Sequence, residues 1–161
     1  MSLDKVKQYL APFGLDKRII EFDESTATVA QAAHALNTEP DRIAKTLSFL
    51  IDEKPIVIVM SGNSKTDNHK YKSAFNKKAK MIGADDVKRL TGHPVGGVCP
   101  FALNENVDVY LDTSLKKHLT VFPACGSRNS AIELTIAELE NASKPKGWVD
   151  VAAEVKNGDN A

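Results

Sequence analysis

The sequence predicts an α+β fold, with a central mixed or antiparallel sheet flanked by helices. Three observations carry that expectation. Segments of helical spacing and apolar runs of strand length alternate in an order that is neither a regular βαβ repeat nor an all-β meander. The second half turns mainly to short strands separated by polar turns. The chain has 161 residues, 42% of them hydrophobic, enough for one sizeable core.

The chain opens on an amphipathic helix, Met1 to Leu10, with Leu3, Val6 and Leu10 as its apolar stripe and Gly14 as its stop. Arg18 to Phe22 reads as a first strand. Thr28-Val29-Ala30-Gln31 has capping-box spacing, and Val29, Ala32, Ala33 and Leu36 form one helical face. Thr38-Glu39-Pro40-Asp41 predicts a second, short helix, because a capping residue, a proline and acids suit its first turn. From Lys45 the period changes to two. Lys45, Leu47, Phe49 and Ile51 share one strand face; Thr46, Ser48, Leu50 and Asp52 share the other.

Glu53-Lys54-Pro55 turns the chain, and Ile56 to Met60 is a nearly continuous apolar run, as expected of a central strand. Asn68 to Asn76 reads as a basic helix, Ala79 to Ile82 as a short strand, and Asp85 to Leu90 as a helix with acids in its first turn. Val107 to Leu111, Leu119 to Phe122 and Ala131 to Leu134 follow as strands. Thr135-Ile136-Ala137-Glu138 repeats the capping-box spacing and starts a helix to about Ala142; Trp148 to Val151 reads as a last strand. One domain is expected over residues 1–155, followed by a polar tail over 156–161.

Composition narrows the function classes. The amphipathic start lacks the uninterrupted apolar stretch of a signal peptide, and no run reaches membrane-spanning length. Cys99 and Cys125 make neither a disulfide framework nor a metal-ligand spacing, so a cytoplasmic protein with reduced thiols and no metal or cofactor is expected. Net charge is zero, which argues against holding nucleic acid by bulk electrostatics. Between Lys65 and Arg89, however, eight bases face three acids. That stretch reads either as a solvated lysine-rich face or as a phosphate-binding patch, with His69 and Tyr71 among the bases.

Three segments carry candidate chemistry. Lys45 opens a strand on its bulkiest apolar face, where it either snorkels to water or supplies a buried cation. Gly96-Gly97-Val98-Cys99-Pro100-Phe101 is either an ordinary turn or a loop whose main chain approaches a ligand closely. Ala124-Cys125-Gly126-Ser127-Arg128-Asn129 adds a small polar turn. No sequence-local partner makes a thiolate of Cys99 or Cys125, and no Ser-His-Asp signature is present.

In this order and spacing, the Lys45-Thr46-Leu47 strand, the basic helix, the Thr91-Gly92 helix end, the glycine loop ending in Pro100-Phe101, and the Gly126-Ser127-Arg128-Asn129 turn before Ile132-Glu133-Leu134 resemble the YbaK/EbsC family. Its members are free-standing relatives of the editing domain of prolyl-tRNA synthetase. The resemblance spans roughly Phe22 to Asn141. It implies a mixed, barrel-like sheet with surrounding helices, and hydrolysis of the ester joining a mischarged amino acid to the 3′ end of a tRNA. The tRNA would be tRNA(Pro), the amino acid a small one such as cysteine or alanine. The family's functional lysine falls on Lys45 and its Gly-x-x-x-Pro loop on Gly96 to Pro100.

Lys45, Gly96 and Gly97 are therefore the expected catalytic positions. Phe22, Thr28, Thr46, Cys99, Pro100, Phe101, Gly126, Ser127 and Asn129 are expected to bind substrate, and Lys70, Lys72 and Arg128 to contact the tRNA. The acceptor end of a mischarged tRNA is the expected partner, with prolyl-tRNA synthetase as a candidate second one. A non-catalytic module that binds a nucleotide or tRNA end in the same pocket is the alternative. Some family members that act on alanyl-tRNA carry a histidine where this chain has Cys125 to Asn129, and serine or threonine often stands in place of Cys99. The amino acid removed is thus left open.

Overall fold

The computed structural model describes residues 2–155, so the expected polar tail over 156–161 lies outside the described residues. Helix α1 (Ser2–Leu10) buries Val6 and Leu10, and a 3-10 turn over Ala11–Phe13 closes at Gly14 with φ +72°. The strand expected from Arg18 to Phe22 is shorter. A second 3-10 turn takes Asp16–Arg18, and only β1 (Ile20–Glu21) is extended and paired. The Arg18 side chain is occupied at 2.6 Å by both Glu138 and the Glu133 carbonyl.

Helix α2 (Val29–Leu36) begins as its sequence dictates: Thr28 Oγ1 accepts from Gln31 N–H, and the Gln31 side chain accepts from Thr28 N–H. The short helix expected at Thr38–Asp41 is one 3-10 turn, Pro40–Arg42, with no side-chain cap. Strands β2 (Ile43–Ile51) and β3 (Lys54–Ser61) pair antiparallel over their length, with Lys45 opposite Met60 and Thr46 opposite Val59. Next come β4 (Ser64–Thr66), helix α3 (Asn68–Phe75, capped by Asp67) and helix α4 (Ala84–Thr91). The strand expected at Ala79 to Ile82 is a single bridge, Phe49 to Met81. It is held by Leu50 N–H on Lys80 O at 2.8 Å and Ile82 N–H on Ser48 O at 3.1 Å.

The second half supplies β5 (Asp108–Asp112), β6 (Thr120–Pro123), β7 (Ser130–Ala131), β8 (Leu134–Thr135), helix α5 (Ile136–Ser143), β9 (Gly147–Val149) and β10 (Ala152–Glu154). The strand expected from Ala131 to Leu134 splits because its halves serve different partners: β7 pairs with β1, and β8 with β6. Ile132 between them is fully buried. The α5 capping box forms as read, with Thr135 and Glu138 exchanging hydrogen bonds.

The main sheet runs β8-β6-β2-β3-β5-β9, a curled, mixed half-barrel of six strands. Strand β3 is apolar from Pro55 to Met60 because both its faces are buried there. Val57 and Val59 enter the larger core with Leu111, Val121 and Leu134, whereas Ile56, Ile58 and Met60 pack with Phe49 and Tyr71. The ends of β2 are treated differently on its two edges. Its β3 edge is paired from Ala44 to Ile51, while β6 meets it only at Ile43 and Ala44. Beyond Ala44 that edge is open as far as the Met81 bridge, and there the sheet gapes.

Candidate active site

A cavity of about 390 Å³ fills this gap. Thr28, Val29 and Ala32 of α2 form one wall, Ile43 to Ser48 of β2 the floor, and Ala124, Ser130 and Ala131 the far side. Met81 and Val95, 56% and 47% exposed, are among its lining residues and form an apolar rim. Lys45 and Gly96, about fifty residues apart in sequence, line the same cavity, and Lys45 is the one charged lining residue among the described residues.

The Lys45 amine is half-buried and donates to the carbonyl of Ser64, which begins β4. Burial pushes its pKa below the ordinary lysine value, with the charge of Asp41 partly opposing the shift. Thr46 lines the cavity too, and its Oγ1 is buried with no hydrogen-bond partner among the described residues. Thr28 serves both as the α2 cap and as wall.

The two glycine segments lie back to back. Gly96 has φ +87°, and a Cβ there would sit 3.0 Å from both Ala27 Cβ and Arg128 Nε. Arg128 is therefore laid over Gly96, beside the cavity. At Gly97 a Cβ would meet Gly126 C and Ser127 N at 2.9 Å and Ser127 C at 3.0 Å. Gly97 lets two main chains touch; it is buried and does not line the cavity. Gly126, at φ +91°, admits α1 equally closely: a Cβ would lie 2.9 Å from Ser2 O and Val6 Cγ2.

Other expected site residues stand behind these walls. Ser127 Oγ bonds Asn129 Oδ1 at 3.1 Å and Ser130 Oγ at 2.7 Å, and Asn129 Nδ2 donates to Phe22 O at 2.9 Å. With Phe22 N–H on Asn129 O at 2.8 Å, these contacts tie the turn to the segment leading into α2. Pro100 is buried, and Cys99 and Phe101 are wholly inside the larger core. Lys70 is engaged by Asp150 at 3.1 Å and Ala152 O at 2.9 Å, whereas Lys72 and Arg128 are exposed.

Folding does bring a histidine to Cys99, with His93 Nε2 3.5 Å from Sγ. The pair is unsuited to nucleophilic catalysis. Burial drives the Cys99 thiol up to about 12 and lowers the His93 pKa, so neither the thiolate nor the imidazolium is favoured. His93 instead accepts from Ser2 Oγ and donates through Nε2 to Phe101 O at 2.6 Å, pinning the glycine loop to α1.

Known proteins share this fold. The family model for the aminoacyl-tRNA editing domain matches residues 23–142. The chain belongs to that family. YwhH of Bacillus subtilis (strain 168), a protein of uncharacterised function, is 47% identical over 155 residues, covering 96% of this chain and 99% of its own. EbsC of Enterococcus faecalis, named as a candidate Cys-tRNA(Pro)/Cys-tRNA(Cys) deacylase, is 28% identical over 135 residues, 83% of this chain and 81% of its own. The crystal structure of a candidate trans-editing enzyme for prolyl tRNA synthetase superposes with a TM-score of 0.84 at 26% identity, covering 94% of this chain and 97% of that one. The YbaK/EbsC resemblance is thus family membership, and the expected mixed, curled sheet is the editing-domain fold.

Two features of this editing domain were not read from its sequence. The rim residues Met81 and Val95 carry no motif. Asp41 was read only as a helix-start acid, yet it joins His118, 77 positions away, at 2.7 Å. No helix among the described residues is long and apolar enough to cross a membrane.

Proposed function

We propose that this editing domain hydrolyses the ester between a small amino acid, such as cysteine or alanine, and the 3′ end of mischarged tRNA(Pro). The observation that carries the reading is the shared cavity of Lys45 and Gly96. At about 390 Å³ it lies toward the small end of ligand sites, which span roughly 300–1,000 Å³. Its walls are mainly small and apolar, and its single cation suits a carbonyl or phosphate oxygen. The exposed rim of Met81 and Val95 offers apolar contact to the terminal nucleoside.

The chemistry requires little else. A nucleophile attacks the ester carbonyl carbon, and negative charge gathers on the carbonyl oxygen. Collapse breaks the C–O bond to the ribose, whose oxygen takes up the proton given off by the nucleophile and leaves as a hydroxyl. With one N–H given to Ser64, the Lys45 ammonium has others to offer the developing oxyanion or the terminal phosphate. Main-chain groups at Gly96 complete the cradle. The nucleophile is water or, for a cysteinyl ester, the substrate's own thiol, in which case the protein need only position it. Arg128, lying over Gly96, is suited to a backbone phosphate, with Lys72 and the other exposed lysines of the 65–89 stretch farther along the tRNA; Lys70 would first have to leave Asp150. Prolyl-tRNA synthetase could deliver the tRNA, since the chain is neutral overall.

A panel of mischarged tRNAs tests the proposal. Wild type is expected to release the amino acid from at least one tRNA(Pro) ester, and Lys45→Ala to lose that turnover by at least about 10²-fold while melting cooperatively. Equal turnover by the two proteins would refute the role of Lys45. Binding without turnover across the panel would favour a non-catalytic tRNA-end module.

A further inference from the structure

We infer that Asp41 is a positioning residue for the Lys45 amine, acting through the turn between β3 and β4; the inference rests on the reading of Lys45 as the cation of the site. The turn is held at both of its central N–H groups by this one residue. Gly62 N–H donates to the Asp41 carbonyl at 3.3 Å, and Asn63 N–H donates to Asp41 Oδ1 at 3.1 Å. Ser64 is next in sequence, and its carbonyl accepts from Lys45 Nζ.

The turn has no other place to go. A Cβ on Gly62 would fall 2.0 Å from the Pro40 carbonyl oxygen, so turn and 3-10 segment are in backbone contact. Ser61 N–H on Ser114 Oγ at 3.1 Å and the 2.6 Å contact of the Ser61 and Ser64 hydroxyls fix its two ends.

Asp41 is itself anchored. Its second oxygen receives His118 Nε2 at 2.7 Å and Lys117 Nζ at 3.0 Å, and its side chain is only 14% exposed. The groups facing the carboxylate are thus Lys117 and His118 from the 113–118 segment, with Glu39 3.9 Å from His118 on the far side, and Lys45 on β2. Burial alone would raise the Asp41 pKa, but hydrogen bonds from His118, Lys117 and Ser61 outweigh it and keep the carboxyl below its ordinary range. An ionised, immobilised carboxylate therefore both sets the carbonyl that aims Lys45 and favours its protonated form.

The test compares Asp41→Asn, which keeps an acceptor for Asn63 N–H but no charge, with Asp41→Ala, which keeps neither. Two quantities are read: kcat and KM on the ester that wild type hydrolyses fastest, and the titration of Lys45 by NMR of carbon-13 lysine-labelled protein, assigned with Lys45→Met. Both variants should move the Lys45 midpoint downward. Loss of kcat should be about tenfold or more in Asp41→Ala and smaller in Asp41→Asn, with KM changed by less than about threefold.

Equal losses in the two variants would leave only a charge effect and overturn the positioning role, as would wild-type kcat in both. Should Asp41→Ala fail to melt cooperatively, Asp41→Asn and His118→Ala decide: unchanged kcat and unchanged Lys45 titration in both overturn the inference. If wild type hydrolyses no ester, the functional reading fails, and the Lys45 titration still decides whether Asp41 governs that amine.

Discussion

Gly97→Ala is the sharpest perturbation the fold offers. The added methyl would lie 2.9, 2.9 and 3.0 Å from Gly126 C, Ser127 N and Ser127 C, all of them main-chain atoms that no rotamer can move aside. Comfortable carbon contacts begin near about 3.5 Å, so the loop and the turn must part by roughly half an ångström. Overpacking of this kind costs about 1–3 kcal/mol, and the lower entropy of an unfolded chain with alanine in place of glycine returns about 0.4–1 kcal/mol. A net loss of about 1–2 kcal/mol should lower Tm by roughly 2–8 °C in a domain of this size. The displaced loop carries Gly96, so turnover should fall too, by up to about 10²-fold for a misplacement near 1 Å. Thermal melting followed by circular dichroism, together with deacylation of a tRNA(Pro) ester, reads both effects. Gly96→Ala is the comparison: its positive φ strains an alanine, and the methyl meets Ala27 Cβ at 3.0 Å as well as the flexible Arg128 side chain, so the strain falls directly on the cavity wall. Wild-type Tm and wild-type turnover in Gly97→Ala would refute the back-to-back packing.

Two further outcomes follow from buried and paired groups. Glu138, bonded to Arg18 and to the Thr135 cap, has its pKa lowered to about 2. Its folded pKa lies below its unfolded one, so its contribution is complete above about pH 4.5 and is lost as pH falls toward about 2. Glu138→Gln keeps a capping-box acceptor, as Gln31 does in α2, but removes the charge paired with Arg18. It should therefore cost about 0.2–1 kcal/mol at pH 7 and flatten the acid limb of the Tm profile; an unchanged acid limb would contradict the pairing. Cys99 and Cys125 are fully buried with raised pKa values. Neither should react with iodoacetamide at pH 8 until guanidinium unfolds the chain, and mass spectrometry showing rapid native modification of Cys99 would overturn its placement.

What the sequence disclosed was what local chemistry decides. Both capping boxes formed because each is a four-residue contract between side chain and backbone. The double-sided burial of β3 was visible as an unbroken apolar run. By contrast β4 and β10 were missed: Ser64-Lys65-Thr66 has no apolar pattern, and the two strands exist only because they pair with each other. At the site, Lys45 and Gly96 were legible as motif residues, but the motif did not tell which neighbours face inward. Cys99 and Phe101, read as substrate contacts, turn into the core, and Gly97 serves the loop's packing. The Asp41–His118 contact has no sequence signal, since a separation of 77 positions has no local period.

The position of the cavity has a cause in the sheet itself. Side chains of Lys45 and Thr46 leave β2 on opposite faces, yet both line one cavity. That is possible only where the cavity opens at the strand's edge. Ser48 C=O and Leu50 N–H point outward to Ile82 and Lys80, and Ala44 pairs outward with β6. By the same two-residue alternation the main-chain groups of Thr46 point outward as well, into the cavity between those rungs. Strand β6 stops short there: its register ends at Pro123, and Ala124 next to it is already cavity wall. Two more residues of pairing would close the gap with backbone. By leaving one rung unmade, the fold leaves the main-chain groups of Thr46, its unpartnered hydroxyl and the Lys45 side chain lining a single small space whose hydrogen-bonding capacity the sheet does not use.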